Sequence, residues 1–96
     1  MSGTTCLTSG LQTADALIYT GRGTLNALTV MTDGTNAATV TLYDNTTNSG
    51  TVLAQSIVLG ADRTGFQAWN LAVRCKNGIY ADVTGTGASY IVHYGA

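Results

Sequence analysis

The chain has 96 residues, a net charge of −1 and 9% charged side chains, against about 25% in ordinary globular domains. That length suits one small domain and is too short for two. The four cations, Arg22, Arg63, Arg74 and Lys76, are scattered along the chain and give no basic stripe, which argues against DNA or RNA as a partner.

Glutamate and proline are absent, and threonine is the commonest residue, at seventeen. Threonine and valine suit a pleated, half-buried surface, whereas Glu, Lys and Pro do not, so the composition points to a β-protein. A surface poor in charge also suits a protein held in an assembly, because a free monomer normally keeps charges outside. The N-terminal stretch lacks the basic and apolar regions of a secretory signal, and no apolar run approaches the roughly 20 residues needed to cross a bilayer. The expectation is a soluble protein made in a cytoplasm, with Cys6 and Cys75 as reduced, unpaired thiols.

Taken in order, residues 1–16 are small and polar, and are expected to form an extended N-terminal arm that orders only against a partner. On that reading the arm could be removed and the domain, residues 17–96, would still fold. Ala16 to Tyr19 is the first strand, turned by Gly21-Arg22-Gly23. Thr24 to Thr32 is the second. Asn26, Leu28 and Val30 share one face and Leu25, Ala27, Thr29 and Met31 the other; Leu28 and Val30 make the better apolar face, but pattern alone does not decide the register. Asp33 to Asn36 is a turn by composition. Ala38 to Asp44 alternates most clearly, Val40 and Leu42 inward and Thr39, Thr41 and Tyr43 outward. A polar loop over 45–50 leads to a strand over 51–59, a turn cluster over 60–65, and a strand over 66–71 carrying Phe66 and Trp69.

Residues 73–94 read as three consecutive strands. Asn77-Gly78 suggests a type I′ hairpin turn between the first two, and Gly85-Thr86-Gly87 a second tight turn, so that the three form a meander. Ile79, Ala81 and Val83 point one way, and Tyr80, Asp82 and Thr84 the other.

Seven or eight short strands with turn signals between them predict an all-β fold: an antiparallel, jelly-roll-like β-sandwich with an extended N-terminal arm. A small closed barrel is the alternative. Parallel βαβ architecture is excluded because no helical stretch separates the strands. The immunoglobulin pattern fails too, since Cys6 lies in the arm and Trp69 is close to Cys75.

The chemistry-bearing residues are few. His93, the one histidine, can be drawn into a triad with Ser89 and Asp82, but no nucleophile elbow accompanies them. One His and two distant Cys do not make a zinc site. Asp44, Asn45 and Asn48 could offer loop oxygens to calcium, yet such residues more often bond the local backbone. No catalytic residue, metal site or cofactor is assigned. Trp69, Tyr80 and Tyr90 are the candidate partner-contact residues, as aromatics able to form a surface for sugar or protein.

Three runs carry a resemblance: Leu42-Tyr43-Asp44-Asn45-Thr46; Ser49-Gly50-Thr51-Val52-Leu53; and Asn77-Gly78-Ile79-Tyr80 with Gly85-Thr86-Gly87-Ala88 before a final apolar strand. Together, over residues 21–94, they resemble small β-sandwich virion proteins of tailed bacteriophages, including capsid decoration or cement proteins. The resemblance implies a non-enzymatic virion protein on the capsid surface, assembled in the host cytoplasm. It also implies the major capsid protein as partner and a homotrimer as the oligomeric form, with neither nucleic acid nor membrane bound. The alternative is a receptor- or carbohydrate-binding module of a tail or head fibre. An enzyme fragment would require His93 to meet a base partner and a nucleophile in a pocket.

Overall fold

A computed structural model describes residues 6–59, 66–68 and 71–95. These form nine strands: β1 (Leu7–Thr8), β2 (Ala16–Thr20), β3 (Gly23–Met31), β4 (Ala38–Tyr43), β5 (Val52–Val58), β6 (Phe66–Ala68), β7 (Val73–Cys75), β8 (Gly78–Thr84) and β9 (Ser89–Gly95). No helix occurs among the described residues. Every pairing is antiparallel. One sheet runs β1-β9-β3, with β6 and β7 sharing the far edge of β3; the other runs β2-β8-β4-β5. The pairing is nested, first strand with last: β1 with β9, β2 with β8, β3 with β6, β4 with β5.

The two sheets enclose one apolar core. Leu25, Leu28 and Val30 of β3 and Tyr90 and Val92 of β9 face Val40 and Leu42 of β4 and Ile79 of β8, all at 1% exposure or less. Burying a side chain of this size contributes about 1.5–3 kcal/mol. That outweighs any single surface polar contact, so it decides which face of each strand turns inward. The expected alternation of β4 and β8 holds, with Ala81 buried and Val83 packed on the core. In β3 a bulge between Leu25 and Ala27 adds a residue and flips the parity. Leu25 therefore joins Leu28 and Val30 instead of sharing the face of Ala27.

Turn chemistry acts as expected at residues 33–36. Asp33 Oδ1 accepts the backbone N–H groups of Thr35 and Asn36, each at 2.8 Å. These bonds hold the Asp33 carboxyl below the ordinary range, Asn36 contributing most.

The fold corrects three expectations. First, residues 73–94 do not form a meander. β7 lies in the first sheet against β3, β8 in the second between β2 and β4, and β9 in the first again. Positive φ occurs at Gly78 but not at Asn77, so the dipeptide lacks the type I′ conformation. The two amides before the glycine are instead held by Asp44, whose Oδ1 accepts from Lys76 at 2.9 Å and Asn77 at 2.8 Å. They make a corner between sheets.

Second, residues 6–16 are not a free arm. β1 adds to the edge of the first sheet beside β9, and Gln12 exchanges backbone hydrogen bonds with Tyr90 at 2.9 Å each way. Residues 9–15 then cross to β2 on the edge of the second sheet, strapping the β8–β9 side of the sandwich. The strap's own residues explain this: Ser9 Oγ accepts from Val92 N at 2.9 Å, and Asp15 Oδ1 accepts from Val83 N at 2.8 Å. Third, the described residues hold nine strands, because β1 lies inside the stretch read as an arm.

One polar group in the core has no partner among the described residues. Ser56 faces inward opposite Val40, is 5% exposed, and its hydroxyl makes no hydrogen bond. Ser56→Ala should therefore stabilise the protein by about 1 kcal/mol, read as a raised midpoint in urea. A lowered midpoint would show that the hydroxyl is satisfied.

Candidate functional site

The outer face of the second sheet carries a row of apolar and aromatic side chains. Register places Leu17 of β2 beside Tyr80 of β8, Tyr80 beside Tyr43 of β4, and Tyr43 beside Val52 of β5. The row therefore crosses all four strands. Leu17 is 47% exposed and Val52 50%, while the two tyrosines are half-buried. The next row along the sheet is polar: Asp82, Thr41 and Gln55, with Gln55 Nε2 donating to Thr41 Oγ1 at 3.0 Å. Asp82 is the one charge in these two rows. Burial, followed by the neighbouring Asp15 carboxylate, raises its pKa and favours its neutral form.

At the Tyr43–Tyr80 end of this sheet the sandwich has an open depression of about 450 Å³, lined by Arg22, Gly23, Thr24, Asp44, Arg74, Cys75 and Lys76. The cations come from two parts of the chain, residue 22 and residues 74–76. Arg22 sits in the turn between β2 and β3, where Tyr19 Oη donates to its carbonyl at 3.0 Å. Arg74 is the middle residue of β7, paired with Thr24. Lys76 lies in the corner that Asp44 holds. The Asp44 carboxyl is kept below the ordinary range chiefly by the Asn77 amide, so it stays ionised. Cys75 closes the floor with a buried thiol 3.6 Å from the Gly21 carbonyl, and burial raises its pKa. Cys6, by contrast, is exposed.

Of the candidate contact residues, only Tyr80 lies on this surface. Trp69 falls outside the described residues. Tyr90 is fully buried, with its hydroxyl donating to the Ala14 carbonyl at 2.7 Å, and offers nothing to a partner. Its strand position is the reason: inward positions of β9 carry Tyr90 and Val92, outward ones Ser89, Ile91 and His93. Ser89 and His93 thus lie on the outside of the first sheet and Asp82 on the outside of the second, which separates the three members of the drawn triad.

The oxygens weighed for calcium are turned to amides. Asp44 Oδ1 holds the two corner N–H groups, and Asn45 Oδ1 accepts from Thr46 N at 2.8 Å. Among the described residues no group of three His, Cys, Asp or Glu side chains could hold a metal ion. No helix among them is long and apolar enough to cross a membrane.

Tyr43, Val52 and the clustered cations were missed from sequence. Tyr43 and Val52 stood in the runs that carried the resemblance, but their alignment with Leu17 and Tyr80 needs the register. Compared with known proteins, the chain matches no family model, no curated sequence and no solved structure.

Proposed function

We propose that the chain is a non-enzymatic virion structural protein of a tailed bacteriophage, a capsid decoration or cement protein that binds the assembled head and stabilises it. The observation that carries this reading is the Leu17–Tyr80–Tyr43–Val52 row, an apolar and aromatic band on a face almost without charge. Interface cores are depleted in charged residues and enriched in tyrosine, so this face suits a lasting contact with the major capsid protein. Binding the assembled shell and not its free subunits would stabilise the shell by mass action. On this reading the protein resides on the capsid surface, as a homotrimer.

The strand order supports a jelly roll as the finer description of the sandwich. Nested pairing, first strand with last, split over two layers with β7 as an added strand beside β6, is what such a fold would have. Jelly rolls serve both viral capsids and lectins. The paired tyrosines favour a second reading, a receptor- or carbohydrate-binding module of a tail or head fibre, because sugars stack on aromatic faces.

Sedimentation of the protein with undecorated phage capsids separates the two. The decoration reading expects co-sedimentation at a fixed stoichiometry and capsids that resist heat better. The Leu17→Asp/Val52→Asp variant, altered only at exposed positions, should stay in the supernatant. A protein that ignores capsids and binds glycans or whole bacteria belongs to the fibre reading.

A further inference from the structure

We infer that the depression lined by Arg22, Arg74 and Lys76 is a binding site for a tetrahedral oxyanion, a phosphate or sulfate group carried on a small molecule or saccharide. The inference does not depend on the virion reading.

These three residues are all the cations among the described residues, and pairing of β3 with β7 brings Arg22 to the same depression as Arg74 and Lys76. Like charges gathered at a surface repel, and the one anion lining the depression is the Asp44 carboxylate, which interacts electrostatically with Lys76. The one carboxylate present, Asp44, is ionised and offsets only one of the three charges. Three cations against one carboxylate leave a charge of +2. That balance suits a dianion better than a single carboxylate. Two arginines add the planar fork that binds phosphate and sulfate oxygens in pairs.

Size points the same way. The depression holds about 450 Å³, whereas a water occupies about 30 Å³ in the liquid. A bare ion would fill only part of it, leaving room for the group that bears the ester.

The test is a titration of the intact protein, followed by the backbone amide resonances of Gly23, Thr24, Cys75 and Lys76. The probes are sodium phosphate, sodium sulfate, glucose 6-phosphate and glucose 6-sulfate, with ionic strength held constant by sodium chloride. The inference expects saturable shifts at these amides, with the ester binding more tightly than its free ion. Both arginines are exposed, so Arg22→Ser and Arg74→Ser should fold normally. Each should weaken binding about tenfold or more, as loss of a hydrogen bond to a charged group does. Shifts no larger than those produced by chloride would overturn the site. Acetate binding as tightly as phosphate or sulfate would overturn its assignment to a tetrahedral dianion.

Discussion

Gly78→Ala is expected to cost roughly 2–6 kcal/mol, a large share of the about 5–15 kcal/mol that holds a domain of this kind folded. Gly78 begins β8 with φ of +152°, and a Cβ there would stand 2.5 Å from the Tyr19 carbonyl oxygen and 3.1 Å from that of Asn45. Both neighbours are backbone, Tyr19 within β2 and Asn45 just beyond β4, and the nearer one is fixed by strand pairing, so it does not move aside cheaply. Two penalties therefore add: a conformation that side-chain-bearing residues avoid, and a clash with a fixed backbone atom. Gly21→Ala is the control. It has φ of +105°, but a Cβ added there would meet nothing within 4 Å, so it should lose only the conformational part, about 1 kcal/mol. Urea denaturation of the two variants decides the point, and equal losses would mean that the close approach at Gly78 costs nothing.

Deleting residues 1–15 should lower stability by about 2–4 kcal/mol, instead of trimming a detachable arm. The deletion strips the pairing partners from Tyr90 and Val92 on the β9 edge and removes the carbonyl that accepts the buried Tyr90 hydroxyl. A buried hydroxyl left without an acceptor costs about 1–3 kcal/mol by itself. The newly bare edge of β9 should also promote association between molecules. A truncated protein with an unchanged urea midpoint would restore the free-arm reading.

Alkaline titration gives a second readout of the same contact. Burial, then the charges of Asp15, Tyr80 and Asp82, push the Tyr90 phenol from 10.0 up to about 12. The folded state therefore holds its proton more tightly than the unfolded state. Its contribution is complete below pH 10 and is lost as the pH rises from 10 to about 12. Tyr90→Phe should remove that part of the alkaline decline while costing about 1 kcal/mol at neutral pH.

The contrast between Val40, Leu42 and Tyr90 shows how far the sequence could be read. Val40 and Leu42 alternate with threonines in a clean run, and their inward orientation follows from the period of two alone. Tyr90 stands in an equally regular run, but tyrosine suits either face, and its burial depends on an acceptor at Ala14 that arrives from the other end of the chain. Asn77-Gly78 shows the same limit for turns. The glycine was needed, but Asp44 settled which kind of turn it served.

By itself the sequence determined the all-β class, eight of the nine strand positions, the inward faces of β4 and β8, and the turn at residues 33–36. These follow from side-chain alternation and from turn residues bonding their own backbone, both of which act within a few residues. Tertiary structure alone decided which strands pair, the conversion of the supposed arm into a strap, the alignment of Leu17, Tyr80, Tyr43 and Val52, and the meeting of Arg22, Arg74 and Lys76. The physical reason is the nested pairing. Together with the β4–β8 and β3–β7 pairings it joins segments far apart in the chain, and such juxtapositions depend on register that no local pattern encodes.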